Sequence, residues 1–161
     1  MSYELNILVV GQDNHTNIPF NTTIELLNES QDDLRYHDIW GFMTAREGMW
    51  YSLGTYNESG FSALRILDAD FDIEYEAYPY WINDELKSNL VPMLVRAEYR
   101  RDLEEIVQTL ITFSPLKTVY VMARMQGGDD EVVCGVLSRQ QFWALHDENK
   151  ILFNVCYILK D

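Results

Sequence analysis

The sequence predicts a single α+β domain, residues 1–161, with a mainly antiparallel sheet, one principal amphipathic helix and short additional helices. Three observations predict it. Short β-branched and aromatic runs recur along the chain, punctuated by Gly, Pro and Asn clusters. One segment, Glu98–Phe113, instead carries apolar residues at helical spacing. No linker, repeat or low-complexity stretch divides the chain, and 161 residues is the size of one domain. Apolar residues make up 47% and aromatics 13%, enough for a core without staples.

The elements follow in order. Glu4–Val10 ends in a β-branched run bounded by Gly11 and reads as the first strand. Phe20–Leu26 alternates apolar and polar residues after Pro19, which favours a strand. Thr22 with Glu25 offers the alternative of a capping box opening a helix, so residues 20–27 stay open between the two. Residues 28–38 are polar and suit a surface loop or short helix. Ile39–Met43 and Met49–Leu53 flank a Gly-containing linker and predict a hairpin. Tyr56–Gly60 is a turn signal. Beyond it, apolar residues fall on even positions through Ile66 and on odd positions from Leu67. A one-residue slip would flip the faces of a strand, so a bulge or turn is expected near Ile66–Asp68.

From Leu67 to Ala77 every odd residue is apolar and every even residue is a carboxylate. Side chains alternate faces along a strand, so a strand here has one dry face and one row of five acids. Asp68, Asp70, Asp72, Glu74 and Glu76 form that row, and Tyr78, Tyr80 and Trp81 follow it. Asn83 suits a helix N-cap ahead of Asp84 and Glu85, and Pro92 stops any long helix from there. In Glu98–Phe113, Leu103, Ile106, Val107, Leu110 and Ile111 share one face, and Ser114-Pro115 ends the helix.

The last third reads as strand, turn, strand, helix, strand. Lys117–Arg124 has strong β-formers on both faces and should be central. Gln126–Asp130 is a turn, and Glu131–Leu137 is expected to return as its hairpin partner. Ser138 and Gln141 form a capping box that opens a short helix through His146. Lys150–Leu159 carries no charge after Lys150 and should also be central.

Net charge is −14. Residues 1–86 hold 16 acids and three bases, a net of −13, whereas residues 87–161 hold 10 acids and nine bases. Nucleic-acid binding needs Lys and Arg to displace counterions, so direct binding of DNA or RNA is not expected. An anionic membrane would repel the chain too. A basic protein would be attracted and its association accelerated. The N-terminus has no basic n-region followed by an apolar core, and no apolar run approaches ~20 residues, so a cytoplasmic protein is expected.

No cofactor or catalytic motif stands out. Cys134 and Cys156 lack CxxC or Cys/His spacing, which points to buried free thiols rather than zinc or redox chemistry. Asp68-x-Asp70-x-Asp72 starts like a calcium loop, but Ile73 and Pro79 stand where that loop needs Gly and Glu. Carboxylates two apart on a strand lie ~6.5 Å apart, too far for all of them to grip one ion. No metal site is therefore expected. His146, near a helix end, suits a cation interacting with the helix dipole. The ordinary use of an acidic row is the solvated face of a sheet. Against that, five like charges repel with no base between them. Spaced anions on a rigid strand also imitate a polyphosphate, and Tyr78, Tyr80 and Trp81 would add aromatic anchors. These eight residues are the candidate partner-binding site of a non-enzymatic protein.

Four features of the C-terminal third carry a family resemblance. They are Ser114–Tyr120, Met125–Asp129, the Ser138-x-x-Gln141-Phe142 cap and Ile151–Ile158. Together they resemble the tail of bacterial immunity proteins, which are encoded beside polymorphic, contact-dependent or secreted toxins. The resemblance implies a small cytoplasmic protein that binds and blocks one toxin, often a nuclease, without a cofactor. It supplies no binding residues; the acidic row comes from the residues alone. The alternative is a non-catalytic binding or regulatory module for another cationic protein.

Overall fold

The computed structural model describes residues 3–29, 46–68, 91–125 and 132–161. Its centre is β1 (Tyr3–Val10), buried along Leu5–Val10 on both sides. Two-sided burial is why Ile7-Leu8-Val9-Val10 is a continuous apolar run rather than an alternation. β3 (Gly48–Asn57) flanks it on one edge, with Leu5 opposite Leu53 and Val9 opposite Met49. β7 (Thr118–Met125) flanks it on the other, with Leu5 opposite Ala123 and Val9 opposite Val119. Both pairings are antiparallel.

β2 (Ile24–Glu29), antiparallel to β3, resolves residues 24–27 as strand; residues 20–23 are irregular, so the strand starts later than the expected Phe20 and runs into Asn28 and Glu29, which were expected in a loop or short helix. The Thr22 hydroxyl does not open a helix. It accepts the Ile24 N–H at 3.1 Å and donates to Asp102 at 2.7 Å, tying the strand entrance to the main helix. β3 thus has β1 and β2 on its two edges, in place of the hairpin partner expected from Ile39–Met43; that run lies outside the described residues. The turn expected at Tyr56–Gly60 joins β3 to β4 (Gly60–Ser62). Gly54 faces this hairpin so closely that a Cβ would lie 2.7 Å from the Ala63 nitrogen.

The bulge or turn expected near Ile66–Asp68 comes earlier, as a 3-10 turn at Ala63–Arg65 that follows β4 and leads into β5 (Leu67–Asp68). β5 pairs with β6 (Leu94–Val95) in a small separate ribbon. Then comes α1 (Ala97–Phe113), with Leu103, Ile106, Val107, Leu110 and Ile111 buried as the spacing predicts. These residues pack with Leu5, Ile7, Val9 and Val121 into the main core. A smaller cluster, Leu8, Val10, Trp50, Met122 and Cys156, lies on the opposite face of the sheet.

The C-terminal third corrects one expectation. β8 (Val132–Leu137) does not return beside β7 as a hairpin. β9 (Val155–Lys160) lies between them, antiparallel to β7 and parallel to β8, giving the order β2-β3-β1-β7-β9-β8. A parallel pair needs a crossover, and α2 (Arg139–Asp147) supplies it. β9 takes the inner position, with Val155, Cys156, Tyr157 and Leu159 buried, whereas Val136 of β8 is 61% exposed at the edge. Ser138 and Gln141 make the expected capping box, with bonds of 3.1 and 2.8 Å. The turn at 126–130 and the N-cap at Asn83 lie outside the described residues.

Candidate functional site

Only the first residue of the predicted binding row is described. Asp68 is exposed at the end of β5, while its neighbour Leu67 is buried in the main core. That in-out alternation matches the period of two read from the sequence. Asp70, Asp72, Glu74, Glu76, Tyr78, Tyr80 and Trp81 lie outside the described residues.

The root of the acidic stretch is held by hydrogen bonds on three sides. Leu67 and Asp68 face Val95 and Leu94 across the ribbon, and the Arg96 N–H donates to the Ile66 carbonyl at 3.1 Å. Upstream, the Met93 N–H donates to the Ile151 carbonyl at 2.7 Å and the Phe153 N–H to the Val91 carbonyl at 2.8 Å. Pro92, which lacks an N–H, sits between these two bonds in a bridge to Leu152. The third tie is a side chain: the Val95 N–H donates to Nε2 of His146 at 3.0 Å.

His146 belongs to a cluster that sequence reasoning missed. Arg100 of α1 stacks its guanidinium 4.2 Å above the Trp143 ring of α2. Its Nη1 lies 2.6 Å from Oδ1 of Asp147, and its Nε bonds Glu104 at 2.8 Å. Nδ1 of His146 lies 3.1 Å from the same Asp147 oxygen. Arg100–Glu104 and Trp143–Asp147 are each four apart on one helix and so share a face. Nothing local joins Arg100 to partners 43–47 positions later, so only docking of the two helices reveals the group.

The charge states follow from this packing. Burial pushes His146 below its ordinary pKa, and the neighbouring Arg100 cation adds to that; Asp147 opposes them. His146 is therefore neutral near pH 7, not the helix-end cation expected from its position in the sequence. The Arg100 hydrogen bond, then that of His146, holds the Asp147 carboxyl below the usual range. Across the sheet, burial raises the Tyr51 phenol, partly offset by its 3.1 Å bond to Gln12.

Between α1 and α2 runs an open groove of about 710 Å³ lined by Arg100, Arg101, Glu105, Arg139, Trp143 and Asp161, among others. Its charges are largely paired within the fold: Arg139 meets Asp161 at 3.0 Å and Arg101 meets Glu105 at 3.6 Å. Among the described residues, no group of three or more His, Cys, Asp or Glu is placed to hold a metal ion. No helix among them is long and apolar enough to cross a membrane. Cys156 is buried in the smaller cluster with Leu8, Val10, Trp50 and Met122. No protein-family model, curated protein or solved structure matches the chain.

Proposed function

We propose that this chain is an immunity protein that binds and neutralises a cognate bacterial toxin, a basic nuclease, through an acidic surface. One observation carries the reading, the uneven charge map. Residues 1–86 hold 13 of the 14 net negative charges, and the Leu67–Ala77 alternation concentrates five carboxylates on one face. Among the described bases of the second half, Arg100 and Arg139 are engaged by carboxylates of their own region. A partner that grips phosphates with Lys and Arg should accept the row in place of nucleic acid.

Binding is favoured over catalysis by what the shifted groups touch. Among the described residues, His146 is taken up by a backbone N–H, Asp147 by Arg100 and Tyr51 by Gln12. Each of these groups is thus engaged by a partner within the fold. An interface of ordinary size, ~800 Å² on each partner, extends well beyond five residues.

The test is calorimetric titration with the toxin encoded by the neighbouring reading frame. We expect tight one-to-one binding that weakens as salt rises from 50 to 200 mM. The double variant Asp70→Lys/Asp72→Lys should bind about tenfold more weakly or worse, roughly 1.4 kcal/mol, with a flatter salt response. Unchanged affinity in that variant would reject the acidic row while keeping the inhibitor. Absence of binding by the wild type would reject the immunity role.

A further inference from the structure

We propose that His146 is a proton-operated latch: neutral, it fastens the β5–β6 ribbon to α2, and protonated, it releases the ribbon and loosens the root of the acidic stretch. The latch is argued from geometry alone; its bearing on toxin binding rests on the function proposed above.

The backbone N–H of Val95 can only donate, so Nε2 of His146, 3.0 Å away, must carry a lone pair. The single proton of the neutral ring then sits on Nδ1. There it donates to Oδ1 of Asp147 at 3.1 Å, the oxygen that Arg100 Nη1 also reaches at 2.6 Å. Arg100 Nη1 is only 2.9 Å from Nδ1, and with both atoms as donors, that contact holds only because they share the carboxylate oxygen. The partners thus fix the tautomer.

A second proton has one place to go. It would occupy Nε2 and point at the Val95 N–H, setting two donors against each other at 3.0 Å. The ring is 6% exposed, so water cannot enter to separate them without movement. The ring and β6 must part. Among the described residues, the charged groups facing the ring are Arg100 and Glu104 from α1 and Asp147 from α2. β6 contributes Leu94 and Val95, neither of them titratable. The two carboxylates favour the proton, but Asp147 is 62% exposed and its pull is screened by water. Arg100 and the apolar surroundings, with Trp143 edge-on at 5.5 Å, oppose it. The latch is closed at neutral pH and opens in mild acid.

What it holds is specific. Val95 is the ribbon partner of Leu67, and the next residue, Arg96, bonds Ile66. Releasing Val95 therefore loosens the segment leading into Asp68. The ties of Val91 and Met93 to Phe153 and Ile151 contain no titratable group and should persist.

The experiment is NMR of the full chain from pH 8 to 4.5, without toxin, so that its outcome is independent of the proposed function. Ring nitrogen shifts report the tautomer and titration of His146, and amide exchange reports protection at Val95, Arg96 and Val121. We expect the Nδ1–H tautomer at pH 7.5. As His146 takes up its proton, protection at Val95 and Arg96, whose N–H bonds Ile66, should fall at least tenfold while Val121 stays protected. His146→Gln keeps an acceptor for the Val95 N–H but does not titrate, and should lack the step. An Nε2–H tautomer, Val95 protection that ignores the His146 titration, or the same step in His146→Gln would each overturn the latch. If the variant does not fold, the wild-type tautomer and the coincidence of the two titrations decide alone.

Discussion

Ser114 and His146 are buried polar side chains that join elements at opposite ends of α1, and they differ in one property. Ser114 is fully buried; its hydroxyl donates to the Val10 carbonyl at 2.6 Å and accepts from the Leu116 and Thr118 N–H groups at 3.2 and 3.1 Å. It thereby connects the end of α1 to both β1 and β7. His146 connects α2 to β6 through one accepted bond. A hydroxyl donates and accepts at once and does not titrate near neutral pH. A neutral imidazole has one donor and one acceptor, and a proton turns the acceptor into a second donor. The first joint is permanent and the second is conditional.

The largest effect should come from breaking the permanent joint. Ser114→Ala leaves a buried carbonyl and two N–H groups short of a partner, and should cost ~3 kcal/mol by urea denaturation. The loss should be the same from pH 5 to 8. A pH-dependent loss would show that Ser114 is coupled to a titrating group.

His146→Ala should cost ~2 kcal/mol at pH 8, from the orphaned Val95 N–H and the lost packing. Here the loss should shrink on acidification, and the sign follows from linkage. Burial lowers the folded-state pKa of His146, so below the ordinary value of ~6.5 the unfolded chain binds the proton more readily. Wild-type stability therefore falls as pH drops from ~6.5 through the folded-state value, and the alanine variant lacks that decline. Parallel stability curves for the two proteins would contradict the assignment.

Arg100→Met keeps the aliphatic stem over Trp143 and removes the cation. With its partner Asp147 mostly exposed, the cost should be about 1 kcal/mol or less. The sharper readout is titration by NMR: without Arg100, His146 should take up its proton at higher pH, and the Asp147 carboxyl should return toward its ordinary range. Unmoved titrations would mean that Arg100 does not set the charge state of the cluster.

Asn6 extends the comparison to a buried polar group that has no partner among the described residues. There, both polar atoms of its side chain are buried without a hydrogen bond, in a residue 1% exposed between Ser52 and Met122. Asn6→Leu removes that desolvation penalty and should stabilise the fold by up to ~1 kcal/mol. A clear loss of stability would mean that the amide has a partner in solution.

The elements were legible wherever one periodicity dominated. The apolar stripe of α1, the Ser138–Gln141 capping box and the two-sided apolar runs of β1 and β7 each follow from local rules and lie where the spacing put them; β9 is shorter than the expected Lys150–Leu159 and begins only at Val155. The residues 20–27 were ambiguous because Thr22 and Glu25 satisfy a strand and a capping box equally well. A bond to Asp102, 80 positions away, decides for the strand. Of the candidate binding row, the alternation at Leu67 and Asp68 was legible, because a strand with one buried face needs nothing beyond its own period.

By itself, then, the sequence determined the types of the main elements, the buried stripe of α1 and the concentration of negative charge before residue 87. Those properties depend on neighbours one to four residues apart. Strand order and charge state were decided only by the tertiary structure. β9 lies between β7 and β8, with Val155, Cys156, Tyr157 and Leu159 buried while Val136 of β8 stays exposed; both strands are apolar, so no local pattern records which of them takes the inner place. His146 reads as a helix-end cation in sequence and is neutral in the fold. Docking α2 against α1 and β6 buries its ring and sets its Nε2 against a backbone donor. The acidic stretch lies between the two regimes: its alternation is written in the chain, and its root is held by a bond that exists only once the helices have packed.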